Sequence, residues 1–213
     1  MKYIDISPII SADIAVFPGD TEFSRSVLLD FKNSDHLLLS TINTTVHLGA
    51  HTDAPNHYHQ DGEDIADRSL NYYLGDCQVI SVNINRGKRI EIKDIQNIKI
   101  SSKRVLFKTN SFPNPNQWNE DFNSLSPEVI EYLANQGVIL LGIDTPSVDP
   151  SDSKALESHN MIYQKNLAIL EGIILSEVSD GQYTLIALPL KIKDADASPV
   201  RAILLPAFSL NED

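Results

Sequence analysis

Cysteine is nearly absent from this chain of 213 residues: Cys77 stands alone, so no internal disulfide can staple the fold. A reducing, cytoplasmic setting is the expectation. Basic residues are also few, 17 Lys+Arg against 29 Asp+Glu, for a formal net charge of −12. Such a surface repels phosphate backbones and anionic headgroups, which removes the electrostatic drive for nucleic-acid and membrane-surface binding. Long hydrophobic runs are missing as well. In MKYIDISPIISADIAVF, Asp5, Pro8 and Asp13 interrupt the apolar stretches, leaving neither a signal-peptide core nor the ~20 apolar residues of a membrane span. No Pro/Gly/Ser-rich break offers a linker, so one domain over residues 1–213 is expected, with the stretch around Pro113 and Pro115 reading as a loop. No repeat of about 20–50 residues occurs, which excludes solenoids and propellers.

What the chain does contain is a set of short, β-branched apolar runs. Strands are expected at 3–6, 25–31, 38–47, 78–84, 104–109, 138–143, 169–175, 183–192 and 202–205. The clearest helix is SPEVIEYLANQG, where Ser126 is a good N-cap, Pro127 suits the first helical position, and Val129, Ile130 and Leu133 share a face. Gly137 then ends it, and an apolar strand follows at once, the helix-to-central-strand step of an α/β core. Further helices are expected at 92–95 and 153–168. Cys77, just ahead of Val79-Ile80, reads as a half-buried strand residue.

Four of the six histidines, His47, His51, His57 and His59, fall within 13 consecutive positions, in HLGAHTDAPNHYH. His47 and His51 could share a helix face, but Asp53 would then point about 200° around the axis. In an extended segment residues two apart share a face. A strand ending at His47, a turn at Gly49 and an extended His51-Thr52-Asp53 therefore bring two imidazoles and a carboxylate to one point, while Pro55 discourages helix before it. That donor set is typical of zinc, manganese or iron(II). His57 is a further ligand or a base, since an imidazole of pKa ~6.5 exchanges protons at neutral pH. His59 reads as a solvated-loop histidine or one satisfied by hydrogen bonds in a polar core, His36 as a surface residue, and Asp61, Glu63, Asp64 and Asp67 as a solvated loop. Three ligands leave open coordination positions, so others must come from afar: His159 is available, and Glu171 is a lone carboxylate in LAILEGIIL. A buried Glu171 needs a cation, a Lys or Arg partner, or an exposed face.

HLGAHTDAPNH resembles the H-x-G-x-H-x-D-x-P-x-H motif of the cyclase-like metal-dependent hydrolases, and the chain is similar to their bacterial kynurenine formamidase branch over nearly its whole length. The co-linear segments include YIDISP, VFPGDT at 16–21, YLGDC at 73–77, LLGIDTPSVDP at 140–150, SKALESH at 153–159, LAILEGI at 167–173, IALPL at 186–190 and ASPVRA at 197–202. The resemblance implies a swivelling β/β/α fold with a mixed central sheet or barrel and few flanking helices, assembled as a homodimer. It implies two divalent ions per subunit, zinc first and manganese as the variant: His47, His51 and Asp53 on one, Asp53, His159 and Glu171 on the other. His57 becomes the proton donor and acceptor. The chemistry implied is hydrolysis of N-formyl-L-kynurenine to L-kynurenine and formate in tryptophan degradation. Where the family usually carries Trp in W-P-G-D, this chain has Phe17, which keeps an aromatic face for substrate binding and loses the indole donor. Two alternatives stand beside this expectation: an amide or lactone hydrolase of the same family acting on another aromatic substrate, and a metal-binding protein without catalysis. The absence of a G-x-S-x-G elbow argues against a serine-hydrolase route.

Overall fold

The computed structural model describes residues 3–207. Its centre is a seven-stranded sheet in the order Ile4–Asp5, Ile203–Pro206, Gly181–Ile186, Leu74–Ser81, Arg104–Lys108, Leu140–Ile143, Ala168–Leu170. The first three junctions are antiparallel and the last three parallel. This is the expected α/β class, a mixed sheet with few helices. Strands from both ends of the chain are neighbours in it, with Ile4 opposite Leu204.

Each central strand sends alternate side chains into two apolar layers. Val79, Leu106, Leu140 and Leu170 enter one; Ile80, Val105, Phe107, Leu141 and Ile169 enter the other. With both faces covered, the strands need no polar alternation, which is why they read as continuous apolar runs. The second layer is closed by the helix Pro127–Ala134 through Val129, Ile130 and Leu133. Ser126 caps that helix, its Oγ accepting from Val129 N at 3.2 Å. Cys77 is fully buried in the first layer, not half-buried, and burial pushes its thiol up to about 12, so it carries no thiolate at neutral pH.

Several expected boundaries move: the strand expected at 169–175 is Ala168–Leu170 and that at 183–192 is Gly181–Ile186, and two further shifts have a local cause. The helix expected at 153–168 spans only Glu157–Gln164, because Leu156 before it is left-handed at φ 47° and Asn166 after it at φ 52°. The strand expected at 38–47 is Leu39–Asn43, half of a hairpin with Ser24–Leu29 whose ladder ends at the pair Ser24 and Asn43. Among the described residues no helix is long and apolar enough to cross a membrane.

Candidate metal centre

The segment after the hairpin bends at Gly49, φ 56°, and then runs extended as the strand His51–Asp53. That strand pairs with Ala197–Pro199 on one side, Ala197 opposite Asp53. On the other side a single antiparallel bridge joins it to Glu171: His51 N donates to Glu171 O at 3.1 Å, and Glu171 N to His51 O at 2.9 Å. The bridge forms because Gly172 lets the backbones touch. A Cβ at Gly172 would lie 2.1 Å from Gly49 O, and its φ of 64° is left-handed. Two segments more than a hundred residues apart are thus brought side by side, with an imidazole facing a carboxylate.

His47, His51, Asp53, His159 and Glu171 converge there. In the groups His47/His51/Asp53 and Asp53/His159/Glu171, potential ligand atoms lie within 4.8 Å of one another, and Asp53 belongs to both. His51 Nε2 is 3.5 Å from Asp53 Oδ1 and 3.2 Å from Glu171 Oε2. His159 Nε2 is 3.5 Å from Asp53 Oδ2 and 4.0 Å from Glu171 Oε1. Glu171, whose alternatives included an exposed face, is 2% exposed; no Lys or Arg forms an ion pair with it among the described residues, and Oε1 instead accepts from Val148 N at 2.7 Å.

The donors fit a divalent cation on three counts. Asp53 Oδ1 is buried and among the described residues accepts no hydrogen bond, although His47 Nδ1 approaches it to 3.0 Å; the contacts converge on it without the alignment of N–H···O bonds. Second, ligand atoms about 2.0–2.2 Å from one tetrahedral ion stand roughly 3.3–3.6 Å apart, close to the separations around Asp53. Third, two imidazoles are locked with Nε2 inward. His51 Nδ1 donates to Gly49 O at 2.9 Å, and His159 Nδ1 to Asp149 Oδ2 at 2.8 Å; such partners fix the tautomer of a metal-binding histidine.

Burial alone would lower His47 and His159, but around His47 the Asp53 charge, and around His159 the hydrogen bond to Asp149 with the Glu171 and Asp53 charges, outweigh it and raise each to about 10. The same imidazoles hold Asp53 well below the usual carboxylate range against a strong burial penalty. Asp149 is held at about 2, its burial overcome by His159 and by the backbone N–H groups of Ser158 and His159.

His57 lies beside the cluster, its ring 4.2 Å from that of His47. Its Nδ1 is 3.3 Å from Asp196 Oδ2, which also meets His47 Nε2 at 3.1 Å. Phe17 is 42% exposed and lines the same cavity of about 480 Å³ as His47, His51, Asp53, His57, His159 and Glu171. His59 stacks on Tyr163 with centroids 3.7 Å apart, away from the cluster, and His36 is exposed. Sequence reasoning missed Asp149 and Asp196. Asp149 stands before Pro150 in SVDP and Asp196 two positions after Asp194 in DADASP, loop strings in which nothing sets either acid apart.

The family model described as "Putative cyclase" matches residues 4–150. A protein of Delftia acidovorans named kynurenine formamidase is 43% identical over 201 residues, 94% of this chain and 95% of its own. One of Bacillus anthracis with the same name is 37% identical over 206 residues, 96% of this chain and 98% of its own. A solved structure described as a potential metal-dependent hydrolase with cyclase activity superimposes with a TM-score of 0.83 at 26% identity, covering 95% of this chain and 96% of that one.

Proposed function

The chain belongs to the cyclase family, and from that premise we propose that it is an arylformamidase that hydrolyses N-formyl-L-kynurenine to L-kynurenine and formate. The observation that carries this reading is the meeting of His47, His51, Asp53, His159 and Glu171 on the wall of a partly aromatic cavity. The identity of 43% over nearly the full length of a kynurenine formamidase supplies the substrate. His47, His51 and Asp53 would hold one divalent ion and Asp53, His159 and Glu171 a second, zinc in preference to manganese given three imidazoles among five donors. Bound there, the metal supplies a Lewis acid for the formyl oxygen and makes water a nucleophile at neutral pH.

The rest is work for the chain's own side chains. Val148 N–H pins Glu171, and Asp149 pins His159, so the donors stand in place before substrate arrives. His57 moves the proton. With Nδ1–H given to Asp196 at 3.3 Å, Nε2 is free to take the proton that the attacking water loses and to deliver it to the departing arylamine nitrogen. Asp196 is therefore a positioning residue. Phe17 presents an apolar ring edge for the substrate's aryl group.

The same reading takes the protein as a cytoplasmic homodimer with each chain one domain. Support for one domain is the pairing of Ile4–Asp5 with Ile203–Pro206. Support for the dimer is an exposed apolar hairpin considered below. The test is formate release from N-formyl-L-kynurenine with and without a chelator, alongside metal content per chain. Turnover should vanish on chelation and return with zinc, and His57→Ala should keep its metal while losing about 10²–10⁴-fold in kcat. Metal-loaded protein without turnover would hand the site to another aryl amide or lactone.

A further inference from the structure

His51 and His159 face the cluster with Nε2, whereas His47 turns its other nitrogen inward. His47 Nδ1 lies 3.0 Å from Asp53 Oδ1 without hydrogen-bond alignment. Its Nε2 points away and makes an aligned bond, 3.1 Å to Asp196 Oδ2. A neutral imidazole carries one proton and one nitrogen lone pair. The proton belongs on the nitrogen that has an acceptor, so Nδ1 is left to bind a cation. The same Asp196 Oδ2 lies 3.3 Å from His57 Nδ1, and the two rings stand 4.2 Å apart. One carboxylate oxygen thus takes the N–H groups of both.

The backbone that carries Asp196 is fixed to the metal-bearing strand. Ala197 pairs with Asp53, Asp196 O accepts from Ala54 N at 2.8 Å, and Ala195 O accepts from Ile65 N at 3.0 Å. The Asp196 side chain is 46% exposed, so it fills no part of the core. Its side-chain partners among the described residues are two imidazoles with different tasks.

Resting on the arylformamidase reading, we propose that Asp196 couples the metal centre to the proton carrier: a single oxygen commits His47 to the metal through Nδ1 and leaves His57 Nε2 free for the proton. Asp196 is a positioning residue for both rings. The centre is thereby of mixed tautomer, with one imidazole ligand protonated on Nε2 and two on Nδ1. That asymmetry follows because Asp196, Gly49 O and Asp149 each stand behind one ring.

The zinc-loaded enzyme and Asp196→Ala are compared by zinc competition with a chromophoric chelator, by kcat on N-formyl-L-kynurenine at saturating zinc, and by ring-nitrogen shifts of nitrogen-15 histidine-labelled protein. Wild type should show His47 protonated on Nε2, and His51, His159 and His57 on Nδ1. In Asp196→Ala one of the two zinc sites should bind about 10–100-fold more weakly. At saturating zinc its kcat should still fall about tenfold or more with KM little changed, and His57 should lose its preference for Nδ1–H. In a His57→Ala background the same substitution should weaken zinc binding without lowering kcat further. Asp196→Asn, which keeps an acceptor oxygen, should show both losses in smaller measure, and it decides if Asp196→Ala does not fold. A loss confined to zinc affinity or to kcat would overturn the coupling. So would an additive loss of kcat in the double variant, or three ligand imidazoles all protonated on Nδ1. The zinc and nitrogen measurements use no substrate: should they come out as stated while the wild type releases no formate, the role of Asp196 stands and the assigned reaction fails.

Discussion

His47 and His159 each have an ordinary pKa of 6.5 and stand at about 10 in the folded chain without metal. The folded state therefore holds protons that the unfolded chain has already released. This stabilisation is complete below about pH 6.5 and is lost as pH rises through about 10. Chelated protein should lose stability steadily across that window, read as a falling urea midpoint. Zinc reverses the dependence, because a cation takes the nitrogen lone pairs only after expelling their protons. The loaded protein should thus gain on the chelated one as pH rises, and zinc added to weakly buffered chelated protein near neutrality should acidify the solution. Parallel pH profiles for the two forms, with no acidification, would show that the imidazoles and the ion do not compete. At this scale much was legible. His47, His51 and Asp53 lie within seven positions, so local geometry alone brings them together. Asp149, Asp196 and the Val148 N–H act through contacts across ten to nearly a hundred and fifty positions, and one of them is backbone, which no residue type announces.

The bridge between His51 and Glu171 is the element on which the site depends, and Gly172 is its tightest point. A side chain there must leave a left-handed φ of 64° and clear Gly49 O, 2.1 Å from the added Cβ. Gly137 is the useful contrast. It is also left-handed, at φ 85°, but a Cβ would meet nothing within 4 Å. Gly137→Ala should cost about 1 kcal/mol, the conformational penalty alone. Gly172→Ala should cost about 3 kcal/mol or more and lower zinc affinity as well, since separating the strands moves His51 from Glu171. Urea denaturation with a zinc-binding titration measures both; equal effects at the two sites would mean that the contact at Gly172 is slack. The fold was readable where side chains alone dictate it. Ser126, Pro127 and the Val129/Ile130/Leu133 stripe mark their helix without help, and the central strands announce themselves as apolar runs because both faces are covered. Boundaries set by distant partners were not readable. The 157–164 helix begins where Asp149 reaches over to accept from Ser158 N, and the strand from 39 stops where its neighbour runs out.

Seen whole, the described residues include a hairpin whose apolar side chains lack cover. The hairpin of Ser24–Leu29 and Leu39–Asn43 joins none of the larger sheet, yet Val27, Leu28, Phe31, Leu38, Leu39 and Ile42 are 45%, 72%, 65%, 51%, 46% and 61% exposed. A two-stranded hairpin is marginal by itself, and a contiguous apolar patch marks a contact surface. A second copy is the occupant that the homodimer reading supplies. Copies that each carry a formal −12 repel over most of their surface, so association has to rest on apolar area of this kind and not on ion pairs. The chain should therefore run at twice its monomer mass in light scattering, and dimerisation should persist in high salt, which screens the repulsion. Leu28→Glu with Ile42→Glu should give a folded monomer, because both side chains already lie in solvent in the single chain and their replacement removes nothing from its core. A wild-type monomer at micromolar concentration, or a double variant that stays dimeric, would assign the hairpin some other partner.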